Sequence, residues 1–251
     1  MPDRNCLTAE TQSARSSLSE ALRASCPRLC GEKSHRPTIV TAIIAALLSL
    51  TVGCSPQPPA GEPGVLFQDD FSQTTSGWDA HRDSSITTDY EEGRYVLALA
   101  DPGQNIWSLA KLDLTDLALS VETAYAEGPV NNEYGMMCRY SRSGDKHSFY
   151  FFFISSDGFY ALGKVVKNQR TILNPATGDF QPSDAIKQGQ TDVNQLTATC
   201  QGQQMSLAVN GATVGAFEDD ELTHGDIGLL IGAYDEGGVK IAFDNLVVRK
   251  P

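Results

Sequence analysis

Positive charge is scarce in this chain. Its 251 residues hold 19 Lys and Arg against 31 Asp and Glu, a net charge of −12. A surface of that sign cannot displace the counterions of a phosphate backbone, which argues against sequence-independent nucleic-acid binding. Long apolar runs are missing too. The longest uncharged apolar stretch, residues 38–53, is shorter than the ~20 residues a helix needs to cross a bilayer core. No period of 20–50 residues recurs, which argues against a propeller or solenoid. There is no Gly-x-Ser-x-Gly, and His81, His147 and His224 are scattered without a marked serine, so a nucleophilic triad has no support. Glycine-rich phosphate loops and paired His/Cys zinc ligands are absent as well. Tryptophan occurs only twice, at positions 78 and 107.

What is present divides unevenly. Residues 1–53 carry a charge of +2 and residues 54–251 a charge of −14. A basic cluster at Lys33, His35 and Arg36 precedes the apolar run, and small residues close it at Val52-Gly53-Cys54. That is the order of a secretory signal. The segment Leu50-Thr51-Val52-Gly53-Cys54 resembles a bacterial lipobox, in which the cysteine becomes the lipidated N-terminus; Thr51 departs from the usual aliphatic residue. An uncleaved anchor and a buried helix are the alternatives. Four prolines in residues 55–64 then read as an extended tether. The expected organisation is an N-terminal extension and signal over 1–53, a lipidated Cys54 with its linker over 54–64, and one domain over 65–251. The expected location is the extracytoplasmic side of a bacterial membrane, held by the lipid.

With Cys54 assigned to lipid, Cys138 and Cys200 remain in that domain. An even count in an oxidising compartment predicts a disulfide between them, with two buried thiols as the alternative.

From Val65 onward the apolar pattern has a period of two. Runs at 94–99, 117–125, 205–209, 228–232 and 239–243 alternate as half-buried strands do. His147–Ile154 is aromatic throughout, which predicts a central strand covered on both faces. Ser156-Asp157-Gly158 reads as a hairpin, Asn210-Gly211 as a turn that favours type I′, and 235–238 as a further turn. Weak helix signals lie near 112–117 and 183–187. These signals predict an all-β sandwich or barrel, with twelve to fourteen strands.

Several short motifs carry a family likeness: Asp69-Asp70-Phe71-Ser72, Gly77-Trp78, Gly135-Met136-Met137-Cys138-Arg139-Tyr140, Phe149-Tyr150-Phe151-Phe152, Leu207-Ala208-Val209-Asn210-Gly211 and Phe243-Asp244-Asn245-Leu246. With them, residues 65–251 resemble the concanavalin A-like lectin/glucanase superfamily. The resemblance implies a jelly-roll β-sandwich of two antiparallel sheets, and it bears on fold more than on activity. Hydrolases of that superfamily carry a Glu-x-Asp-x-x-Glu strand, which supplies the two carboxylates that flank a glycosidic bond. No such triplet occurs; Glu122 stands alone, and Glu218–Glu221 reads as a solvated loop.

A non-catalytic binding role is therefore expected, toward a carbohydrate or another cell-surface ligand. An accessory subunit of an envelope protein complex and a divergent glycoside hydrolase are the alternatives. Sugars bind on aromatic faces with polar groups reading their hydroxyls. The candidates for such a site are Trp107, Tyr134, Arg139, Tyr150 and Asp235, with Arg139 placed by alternation on the same face as Met137. Trp78 reads as an edge anchor closing the N-terminal segment. No cofactor is implied beyond a possible structural calcium, whose oxygens would come from Asp69, Asp70, Asp244 and Asn245 on the first and last strands.

Overall fold

The computed structural model describes residues 64–174, 177–190 and 192–251. The signal, Cys54 and the proline-rich segment before Gly64 lie outside them. The described residues form sixteen strands and no helix: β1 (Val65–Asp69), β2 (His81–Arg82), β3 (Ile86–Glu91), β4 (Arg94–Leu99), β5 (Gln104–Leu109), β6 (Leu117–Glu127), β7 (Asn132–Ser143), β8 (Lys146–Ile154), β9 (Phe159–Val166), β10 (Gln169–Ile172), β11 (Gln181–Pro182), β12 (Val193–Gln201), β13 (Gln204–Val209), β14 (Ala212–Glu218), β15 (Asp226–Ala233) and β16 (Val239–Arg249). Sixteen exceeds the expected number because β2 and β11, of two residues each, are too short to alternate.

Two antiparallel sheets result. One has the order β14-β13-β12-β6-β16-β4-β3-β2, with β1 on the far half of β16. The other, sheet B, has the order β10-β9-β8-β7-β15-β5, with β11 on β9. This is the two-sheet jelly-roll sandwich that the resemblance implies. The predicted turns are where the pattern placed them. Asn210 and Gly211 both take positive φ, 50° and 84°, as a two-residue turn between β13 and β14 requires.

The core lies between the sheets. Leu117, Leu119 and Val121 of β6 meet Met136 and Cys138 of β7 and Ile227, Leu229 and Ile231 of β15, all fully or almost fully buried. Cys138 and Cys200 form the expected disulfide, which joins β7 of sheet B to β12 of the other sheet. Trp78 is buried against Phe71, and its Nε1 donates to Asp69 at 3.0 Å, closing the N-terminal segment onto the core.

Strand β8 sits inside sheet B and is buried on both faces. Tyr150, Phe152 and Ile154 enter the core between the sheets, whereas Phe149, Phe151 and Phe153 join a second apolar cluster with Met137, Ala161 and Leu230 on the sheet's outer face.

Candidate functional site

The outer face of sheet B is organised by small residues and a bulge. Odd-numbered residues of β7, from Glu133 to Met137, point outward; the even-numbered Tyr134, Met136 and Cys138 point into the core. Between Cys138 and Ser141 the strand gains one residue relative to β8, and Arg139 takes a φ of 54°. This bulge reverses the alternation. Tyr140 therefore faces outward, and Arg139 turns inward.

Three of the five ligand-binding candidates fall inside the protein, Arg139 through this bulge. Arg139 is 2% exposed; its Nε donates to Thr115 O at 3.0 Å and its NH1 to Leu222 O at 2.8 Å. Its guanidinium is committed to closing loops at one end of the sandwich. Tyr134 and Tyr150 are core residues, and burial pushes each phenol up to about 12. Tyr150 accepts from the amide of Leu222 and donates to Asp219. Asp219, expected in a solvated run, instead pairs with Lys164 and is largely covered. The parity argument failed at Arg139 because a bulge has no signature in an alternating pattern, and at Tyr134 and Tyr150 because a strand apolar on both faces does not reveal which face is outward.

The other two candidates reach the outer face or its edge. Trp107 of β5 packs edge-on to His147, with centroids 5.1 Å apart, and near Tyr140 and Phe149. Tyr140 OH and His147 Nδ1 share a hydrogen bond of 2.8 Å. Asp235 is exposed in the turn after β15 and lines two adjoining clefts.

The larger of these, about 390 Å³, opens where β7 and β9 begin and where β8 and β15 end. Phe159, Phe180 and Tyr234 give it aromatic walls; Asn131, Asp157 and Asp235 give it a polar rim. Phe180 and Tyr234 meet edge to face, 6.4 Å apart and 82° inclined. Phe159 is 37% exposed, unusual for a large apolar side chain in this domain. Asp157 is fixed by a hydrogen bond from Ser155, whose backbone pairs with Phe159 across the hairpin.

The smaller cleft is lined by an ionic network centred on the buried Glu133. Arg170 of β10 donates from NH1 and NH2 to the two carboxylate oxygens of Glu133, at 3.0 and 2.8 Å, and Tyr234 OH donates to the same carboxylate at 2.6 Å. Glu133 is 2% exposed. Bidentate pairing of this kind repays part of the cost of burying the charge. Burial raises the Tyr234 phenol far above its usual range, and the charge of Glu133 adds to the effect. Arg170 also lies over Phe151, 4.8 Å from the ring centroid, and over Phe153 at 5.3 Å, so the middle of the outer face is filled. Gly232 of β15 makes room for the network: a Cβ there would stand 2.7 Å from Glu133 Cγ and 2.2 Å from Asn105 Oδ1.

The sequence reading missed Glu133, Arg170, Tyr234, Phe159 and Phe180. Phe159 was legible as an aromatic directly after a hairpin turn. Arg170 was not, since 37 residues separate it from Glu133.

The calcium candidates are neighbours, as expected of first and last strands: Asp69 is registered against Leu246. Asp69 accepts from Phe71 N at 2.8 Å and from Trp78 Nε1; Asp70 accepts from Ser72 N and Oγ; Asp244 accepts from Asn245 N. Asp70 and Asp244 accept these bonds through Oδ1, and among the described residues no three His, Cys, Asp or Glu side chains gather as a metal site.

No protein-family model matches the chain, and no curated protein does. Solved structures do. A protein of unknown function with a galectin-like fold from Bacillus subtilis superposes with a TM-score of 0.57 at 9% identity, over 74% of this chain and 96% of the other. A carbohydrate-binding module from the same organism gives 0.52 at 11% identity, over 70% and 96%. A prokaryotic β-1,3-1,4-glucanase (lichenase) derived from a mouse hindgut metagenome gives 0.54 at 13%, over 74% and 99%. At these identities the likeness shows the fold, a jelly-roll β-sandwich, and no more.

Proposed function

We propose that this chain is an exported envelope lipoprotein, anchored through Cys54, whose sandwich binds a carbohydrate without cleaving it. The observation that carries the reading is the cleft at the end of sheet B. Aromatic rings for the C–H faces of a sugar and side-chain oxygens and amides for its hydroxyls converge there in one concave place. Likeness of fold to a carbohydrate-binding module and to a glucanase is consistent with it.

Hydrolysis has less support. It needs two carboxylates across the scissile bond, one free to give a proton. Glu133 points to the outer face, but Arg170 and Tyr234 hold its carboxylate, and its same-face neighbours on β7 are Gly135 and Met137. The proline-rich tether fits an anchored protein of this charge. It would hold a domain of −14 away from anionic headgroups.

Calorimetry and a glycan array with the full chain test the proposal. Phe159→Ala, which removes one wall of the cleft, should weaken binding by on the order of tenfold, the effect of losing one stacked ring. Incubation with the bound glycan should release no reducing ends. Release that Glu133→Gln abolishes would replace binding by hydrolysis. Mass spectrometry of membrane-extracted protein should find a lipidated Cys54 at the N-terminus, and a mature protein that begins elsewhere would remove the anchor. The filled middle of the face favours a second reading, docking on a protein complex. That reading predicts fixed partners on co-purification and no glycan signal.

A further inference from the structure

We infer that the cleft takes a saccharide bearing protonated amino groups, a deacetylated amino-sugar chain in preference to a neutral or an acidic one. The inference rests on the carbohydrate reading above and adds the charge of the ligand. Neither cleft is lined by a lysine, and the single arginine, Arg170, spends both terminal nitrogens on Glu133. Those two charges cancel. Asp157 and Asp235 remain, and neither forms an ion pair with a described residue. The site is thus a box of aromatic walls with two carboxylates that no cation among the described residues neutralises.

An ammonium group suits both parts of such a box. The carboxylates attract it directly, and Phe159 and Tyr234 add aromatic walls whose quadrupoles favour a cation, whereas the Phe180 ring already carries the Arg170 guanidinium, 5.9 Å from its centroid. A uronate or sulfate meets the same carboxylates as like charges. A neutral sugar keeps the stacking and gains nothing from the rim charge. The acidic character of the whole domain has the same sign and raises the local concentration of a cationic chain.

Titration calorimetry on the full chain tests this with four probes of equal length: a chitosan oligosaccharide, its fully N-acetylated counterpart, a cello-oligosaccharide and an oligogalacturonate. The chitosan oligosaccharide should bind on the order of tenfold more tightly than either neutral probe, as two partly solvated charge pairs allow. Its affinity should fall as salt is raised. The oligogalacturonate should not bind. The double variant Asp157→Asn/Asp235→Asn should lose the preference for the amine. Glu92→Gln/Asp145→Asn, a pair whose side chains are each 88% exposed and lie outside both clefts, should keep it. Equal affinity for the deacetylated and N-acetylated probes would overturn the inference and leave the carbohydrate reading standing. Equal losses in the two double variants would also overturn it, because the attraction would then belong to the acidic domain as a whole. Binding of none of the four would count against both.

Discussion

Asp219 shows how much one side chain's surroundings decide. By sequence it is one of four consecutive acidic residues and looks like solvated charge. In the structure it accepts from Tyr150 OH and the amide of Glu221, and it pairs with Lys164, which also reaches Glu221 at 2.8 Å. Burial works against its charge, but these partners more than offset it and hold its carboxyl below the usual range. A carboxylate whose pKa is lowered by folding contributes stability above its unfolded value of 3.8, and that contribution is lost as the pH falls through the folded value. The melting temperature should therefore fall more steeply below about pH 4 in the wild type than in Asp219→Asn. Calorimetric melts from pH 6 to pH 3 check this. Parallel curves for the two proteins would show that Asp219 has no such role.

Among elements, β7 carries most of the consequences. Its first half sends Glu133 outward to Arg170, its middle sends Cys138 inward to Cys200, and its bulge turns Arg139 into the loops and Tyr140 onto the outer face. Gly225 marks the same bulge from the segment just before the neighbouring β15: its φ is 147°, and a Cβ there would lie 2.3 Å from Tyr140 O. The disulfide between β7 and β12 spans 62 residues, and removing that cross-link by Cys138→Ala/Cys200→Ala should cost about 4 kcal/mol from the restored freedom of the unfolded chain. Urea titration should show it as a lower midpoint. The cleft lies beyond the other end of the strand, so a variant that folds should bind as the wild type does.

The molecule as a whole separates its ends. The chain enters the sandwich at Gly64, whose carbonyl accepts from Lys250 N at 2.9 Å, so β1 begins where β16 finishes. The cleft sits by Tyr234 and Asp235, just before β16 starts at Val239. Eleven extended residues lie between, roughly 35 Å. A fluorescent protein fused after Pro251 should leave glycan affinity within about twofold, the linker being remote from the site. A Gly-Ser insertion between Glu236 and Gly237 should weaken binding by on the order of tenfold, since it displaces the turn that carries Tyr234 and Asp235. Calorimetry on both variants checks this, and a harmless insertion would move the site elsewhere.

Period-two alternation was enough by itself to specify an all-β domain, the order of its main strands, the doubly covered β8 and the turn at Asn210-Gly211, because each is a local consequence of backbone geometry. An even cysteine count and the expected compartment were enough to propose the Cys138–Cys200 bridge, and a loop position after Gly77 was enough to propose the anchoring role of Trp78. Which face of sheet B a residue occupies was another matter. One inserted residue at Arg139 reversed the alternation, and a strand apolar on both faces gave no parity to read. Only the tertiary structure could bring Arg170 to Glu133, fill the middle of the outer face and leave an aromatic cleft at its end. Those contacts join residues distant in sequence, and their energy comes from burial and pairing that exist only once the strands have assembled.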